Sequence, residues 1–269
     1  MIKKVGIIGC GWLGLPLAED LINAGFEVQG TTTSKDKLQI LDDKGIAPFH
    51  IALTEDGIFG NIEGLLMGVG ILIINIPPKL RGKGPKESYI DKIKLLHSAI
   101  KNSQVAKVLF ISSTAVYGDI EGTVTERTIP IPTTESGKQL LECESIFQND
   151  LEIDTTIIRF GGLIGPNRHP ITMLSGKENL KGGNAPVNLI HLDDCIGIIK
   201  TIIKIGYWGE VLNAVYPDHP TKQEYYTRQA VKRALAPPTY IRNDSQNYKI
   251  INSCSIFLNK NYTFFATIN

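Results

Sequence analysis

The hexapeptide GCGWLG, Gly9 to Gly14, follows the apolar run KKVGIIG and opens a segment in which apolar residues recur at helical spacing. A glycine at its first position permits a turn too tight for a side chain. The second lets the backbone approach a ligand, and the third lets the following helix lie close on its strand. The N–H groups at the start of that helix then point into the turn, where they favour an anion such as a diphosphate. Placed on the first strand of a strand–helix–strand unit, the pattern predicts a dinucleotide site built from Gly9, Gly11, Trp12, Leu13 and Gly14. The competing reading is a structural glycine turn, with Trp12 packed on a neighbouring loop.

The rest of the chain has the rhythm that such a unit needs. Apolar runs rich in Val and Ile predict strands over 3–9, 26–32, 71–77, 107–113, 154–162 and 210–216. Their hydrophobicity is continuous rather than alternating, so both faces are expected under cover, as in a parallel sheet. Helical spacing predicts helices over 14–24, 88–101, 136–148 and 221–235, the last stopped by Pro237-Pro238. The expected class is α/β, a doubly wound Rossmann-type parallel sheet with a smaller C-terminal substrate lobe. Residues 1–165 would form the NAD(P)-binding domain. Residues 166–269, where Gly and Pro punctuate the chain more often, would form the lobe, with 210–216 returning to the main sheet.

Composition narrows the partners. A chain of 269 residues with 42% hydrophobic content can bury a full core. Its 28 basic and 27 acidic residues leave a net charge of +1, which gives no field for nucleic acid or an anionic membrane. Cys10, Cys143, Cys195 and Cys254 lack ligand spacing, which argues against a disulfide framework or a zinc site. MIKKVGIIGC has the look of a lipoprotein signal, but only five residues separate Lys4 from Cys10. A cytoplasmic protein acting on a small molecule is expected, with no metal; a homodimer is allowed.

The end of the second predicted strand bears on the coenzyme. An NAD site places a carboxylate there for the ribose hydroxyls. This chain has Thr31, Thr32, Thr33, Ser34 and Lys35 instead, which suits a 2′-phosphate and favours NADP(H), with NAD(H) as the alternative. Ile76 and Pro77, after the run ILIIN, would pass the nicotinamide end. Lys79, Arg81, Lys83 and Lys86 then make a basic loop, read as solvated or as an anion trap. His191 with Asp193 and Asp194 reads as a helix start more readily than as a ligand set.

VLFISSTAVYGD, residues 108–119, brings hydroxyls to the carboxyl edge of a buried strand. SSTAVYG, together with IIRFGGLIGP (157–166), NLIHLDD (188–194) and GCGWLG, resembles the extended short-chain dehydrogenase/reductase superfamily. NAVYPDHPTKQEYY is similar to an atypical subgroup of NAD(P)-binding epimerase/dehydratase-like proteins. The resemblance implies a nicotinamide coenzyme, with Ser112 beside it, Ser113 orienting a substrate hydroxyl or carbonyl, and Lys138 holding the nicotinamide ribose. The family tyrosine falls on Thr134, and Ile164 replaces a second tyrosine. A threonine hydroxyl is far too weak an acid for the tyrosine's work. The proton would then come from Tyr117, or from substrate or water, unless the protein binds dinucleotide without turnover. For Lys138 itself, an ordinary surface lysine paired with Glu142 is the plain alternative. The GxGxxG and IPP pair also suits β-hydroxyacid or 6-phosphogluconate-type dehydrogenases, against which SSTAVYG and NLIHLDD speak.

Overall fold

The apolar runs pair side by side. The computed structural model describes residues 4–80, 86–241, 248–255 and 260–268. In it β1 (Lys4–Ile8), β2 (Glu27–Thr32), β3 (Ala47–His50), β4 (Ile71–Ile74), β5 (Lys107–Ser113), β6 (Asp154–Phe160) and β7 (Val211–Ala214) form one sheet. The order is β7-β6-β5-β4-β1-β2-β3, and every pairing is parallel. The direction of winding reverses between β1 and β4, and an open sheet binds its ligand at the carboxyl edge of such a switch point. Strand β3 was not expected. APFH is short, half-buried and carries a proline, which only an edge strand tolerates.

Two helical layers cover the sheet. On one face, α1 (Gly14–Asn23) and α4 (Leu192–Ile205) bury Leu17, Leu21, Ile198 and Ile202 against Val5, Ile7, Leu109, Ile158 and Leu212. On the other, α2 (Tyr89–Lys101) and α3 (Glu135–Gln148) bury Ile93, Leu96, Leu140 and Phe147 against Leu72, Ile74, Val108 and Phe110. Strand β5 makes the alternation plain. Its residues 108 and 110 face α2 and α3, while 109 and 111 face α1 and α4.

The chain after β6 divides its residues between sheet and lobe. Helix α4 packs on the main sheet and strand β7 pairs within it. A smaller cluster gathers Ile164, Ile171, Val187 and Leu189 around Tyr225, Tyr226 and Ala230 of α5 (Lys222–Lys232). The described residues of the weakly periodic C-terminal stretch dock on the rest of the chain. Lys249–Ile251 pairs in parallel with Gly122–Val124, and Tyr262 and Phe265 pack on α4 at Gly197. Among the described residues no helix is long and apolar enough to cross a membrane, and no group of three metal-ligating side chains occurs.

Candidate functional site

The three glycines of GCGWLG meet three different surroundings. Gly9 has φ +100, and a Cβ there would lie 2.5 Å from the Asn75 carbonyl oxygen. A Cβ on Gly14 would sit 2.2 Å from the Gly9 oxygen, so α1 can start this close to β1 only with glycine. Gly11 differs: a Cβ there would meet nothing within 4 Å. Its place is exposed and open, so what its missing side chain clears is room for something from outside. Helix α1 begins at this point with no side chain capping it and no acidic residue in its first turn. Its N–H groups and dipole are left for an external anion. A dinucleotide diphosphate fits these residues.

Neighbouring strands hold the turn in place. The Gly9 N–H donates to Thr31 Oγ1 at 2.8 Å and the Cys10 N–H to the Thr31 carbonyl at 2.9 Å. Asn75 Nδ2 donates to the Gly9 carbonyl at 3.1 Å. Thr31 is thus buried and engaged with the turn, and the Thr32 hydroxyl accepts from the Ser34 N–H at 3.1 Å. Thr33 and Lys35 are exposed beyond them. Leu13 contributes only backbone to the opening, because its side chain is in the core. Trp12 does pack on a neighbouring loop, its Nε1–H donating to the Pro166 carbonyl at 2.9 Å. Ile76 and Pro77 follow Asn75, with the Ile76 carbonyl accepting from the Tyr89 hydroxyl at 3.0 Å. Arg81 and Lys83 of the basic loop lie outside the described residues; Lys79 and Lys86 are exposed.

Ser112 and Ser113 part company at the end of β5. Ser112 is buried and donates to Glu144 Oε1 at 2.5 Å. That turns its side chain toward α3, away from α1. Ser113 falls on the face that β5 shares with α1. It is half-buried, and its Oγ accepts from the Ala115 N–H at 3.2 Å. The accepting oxygen keeps its own hydrogen to donate elsewhere.

The opening of α3 bears no resemblance to an acid–base pair. Thr134 is the N-cap, its hydroxyl accepting from the Gly137 N–H at 3.1 Å. Gly137 is pressed on the turn after Ser113, where a Cβ would be 2.6 Å from the Ala115 oxygen. The face of α3 turned inward carries Leu140, Cys143, Glu144 and Phe147. Lys138 lies off that face and is exposed. Its suggested partner Glu142 pairs with Lys94 at 3.9 Å instead. Tyr117 is fully buried, with its hydroxyl donating to Asn213 Oδ1 at 2.9 Å and accepting from Arg159 Nη1 at 2.8 Å. Burial raises its pKa above the ordinary phenol value, although Arg159 opposes the shift. Its hydroxyl is buried away from solvent and engaged by Asn213 and Arg159.

Behind the serines stands a polar network that the sequence only hinted at. Arg159 binds Glu144 through Nε and Nη2, at 3.1 and 2.6 Å. The network continues from Tyr117 to Asn213, whose N–H donates to Glu126 at 2.9 Å. Glu126 also accepts from Ser253 Oγ at 2.6 Å and from the Cys254 N–H at 2.8 Å. Burial alone would raise the Glu126 carboxyl, but these hydrogen bonds outweigh it and hold its pKa below the ordinary value. The signal for Glu144 was a charge on the apolar stripe of α3. His191 caps α4 by accepting from the Asp193 N–H at 3.3 Å. Asp194 is buried and accepts from the Tyr262 hydroxyl at 2.8 Å and the Phe265 N–H at 3.1 Å. This pair of carboxylates is structural.

Known proteins share this fold. A family profile for the NAD binding domain of 6-phosphogluconate dehydrogenase matches residues 4–58, the span of β1, α1, β2 and β3. Among solved structures, UDP-glucuronic acid 4-epimerase from Bacillus cereus, in complex with NAD, superposes with a TM-score of 0.80 at 18% identity, over 98% of this chain and 92% of that one. A protein of Methylobacillus flagellatus, provisionally described as an NAD-dependent epimerase/dehydratase, gives 0.78 at 25% identity over 98% and 93%. Protein YeeZ of Escherichia coli K12 is 34% identical over 257 residues, which is 95% of this chain and 93% of YeeZ. The chain belongs to the family of Protein YeeZ and, by its fold and the order of its motifs, to the extended short-chain dehydrogenase/reductase superfamily.

Proposed function

We propose that the protein binds NADP(H) in the Gly9–Gly14 turn and acts on a hydroxyl or carbonyl carbon, as an oxidoreductase or an epimerase/dehydratase-like protein. One observation carries this reading: the open approach at Gly11 leads to an uncapped helix start on the same face of the sheet as Ser113. A sugar-like or nucleotide-linked substrate is suggested by the nucleotide-sugar epimerase that shares the fold. When bound, the coenzyme supplies hydride chemistry at its nicotinamide ring. Of this chain's residues, the turn and the start of α1 hold the diphosphate, and Thr33 and Lys35 meet the 2′-phosphate. The Ser113 hydroxyl donates to the substrate oxygen. Water or the substrate carries the proton that a family tyrosine would have moved.

A second reading has its own support. Thr134 is a helix cap and supplies no acid, which suits a sensor that binds NADP(H) without turnover. Titration with NADPH and NADH, followed by fluorescence and thermal shift, comes first. Stabilisation by neither coenzyme defeats both readings, and NADH alone would reverse the preference. A screen of carbonyl compounds and sugar nucleotides, repeated with Ser113→Ala and Lys138→Met, separates the two. Turnover that Ser113→Ala abolishes supports the enzyme, whereas coenzyme binding with no turnover supports the sensor.

A further inference from the structure

The indole of Trp12, the fourth residue of GCGWLG, joins the glycine-rich turn to residues 165–168. Its Nε1–H donates to the Pro166 carbonyl at 2.9 Å. Across its ring lies the Arg168 guanidinium, 4.9 Å from the centroid. The backbones of Gly165 and Arg168 bridge each other, and a Cβ on Gly165 would come 3.0 Å from the indole. The segment therefore lies against Trp12 in a fixed way. Among the described residues, Arg168 is in no ion pair. An arginine stacked on an aromatic face keeps the donors around its rim for a second partner.

The turn itself is short of charge. GCGWLG has no basic residue, and a helix N-terminus offers only about half an elementary charge. A diphosphate brings two negative charges to that place. We infer that Arg168, held by Trp12, is the cation that neutralises the diphosphate of the dinucleotide at the glycine-rich turn. The inference rests on the cofactor reading above and adds a binding residue from outside the motif. The shared chemistry is a phosphate group, which either the diphosphate or the 2′-phosphate could present; Trp12, next to Gly11, places Arg168 at the diphosphate.

Three ligands separate these claims on the full chain: NADPH, ADP-ribose, which has the diphosphate alone, and adenosine 2′-monophosphate, which has the 2′-phosphate and nothing at the diphosphate position. Arg168→Met keeps an apolar stem over the indole. It is expected to weaken NADPH and ADP-ribose by roughly tenfold or more, with a shallower salt dependence, and to leave the 2′-monophosphate within about twofold. Arg168→Lys should fall between, because a point charge replaces the fork. Unfolding of each variant without ligand, at the wild-type midpoint, shows that the fold is intact. Unchanged ADP-ribose affinity in Arg168→Met overturns the inference, as does a loss confined to the 2′-monophosphate. Wild-type protein that binds none of the three overturns the cofactor reading as well, so the two failures are distinct.

Discussion

Arg159 and Glu144 meet through two nearly parallel hydrogen bonds, at 3.1 and 2.6 Å, where neither side chain is more than 5% exposed. One comes from β6 and the other from α3, so the pair locks a helix to the sheet directly behind Ser112 and Ser113. Removing one member leaves the other charged, buried and unpaired. Arg159→Met is expected to cost about 3–5 kcal/mol in urea unfolding. The double variant Arg159→Met/Glu144→Leu should recover much of that loss, since an apolar pair has no charge to desolvate. Equal loss in the single and double variants would show that packing, not charge, holds α3 here.

The parts of this molecule that were readable in the sequence are those where one physical demand acts alone. Residues 107–113 read as a strand because a central parallel strand must be apolar on both faces, and the strand spans those residues. At β3 an edge position relaxes the demand, and APFH gives no signal. Gly9 and Gly14 were legible because neither gap admits another residue, and Gly11 because a ligand needs the space its side chain would take. Side-chain direction was harder. Ser112 and Ser113 are neighbours of like chemistry, yet one faces Glu144 and the other the opposite layer. Lys138 kept the expected spacing from a motif position but lies off the inward face of α3, which is set by Leu140, Cys143 and Phe147.

Gly11 and Gly14 should respond in opposite ways to a larger residue. A side chain at 11 enters open space and does not disturb the fold. Gly11→Val is therefore expected to keep its unfolding midpoint while NADPH affinity falls by roughly tenfold or more. Gly14→Ala pushes against a backbone oxygen that β1 holds fixed. It should cost roughly 1–3 kcal/mol even without ligand. Thermal unfolding with and without NADPH reads both. A Gly11→Val protein that still binds as wild type would mean that the turn grips nothing.

Restoring the family residue at 134 should not restore its chemistry. Thr134→Tyr removes the hydroxyl that caps α3, at a cost of about 1 kcal/mol. It also sets the phenol at an exposed position, where solvent screens the charge that Lys138 offers. The expected result is lower stability and no new turnover in the carbonyl screen, with Thr134→Ser close to wild type in both. Turnover that appears in Thr134→Tyr and vanishes on adding Lys138→Met would place Lys138 in the crevice after all.

The lobe carries a histidine that ought to make stability depend on pH. His169 is buried, accepts from the Ile171 N–H through Nδ1 at 3.1 Å, and reaches the Tyr225 hydroxyl through Nε2 at 2.9 Å. With Nδ1 accepting, the neutral ring carries its proton on Nε2 and donates it to the tyrosine. Burial, with Arg233 adding repulsion, lowers its pKa from 6.5 to about 4. The unfolded chain therefore takes up this proton first as the pH falls. Stability from this source is complete above about pH 6.5, declines between there and about 4, and the total loss is roughly 3 kcal/mol. Carboxylates held below their ordinary values, such as Glu126, act in the same direction but lower in pH. His169→Asn keeps an acceptor for the Ile171 N–H and has no proton to gain. It should be less stable than wild type at neutrality, yet nearly flat between pH 6.5 and 4.5 in urea titrations, where the wild type loses stability. Parallel curves for the two proteins would show that His169 takes up its proton as freely in the folded chain as in the unfolded one.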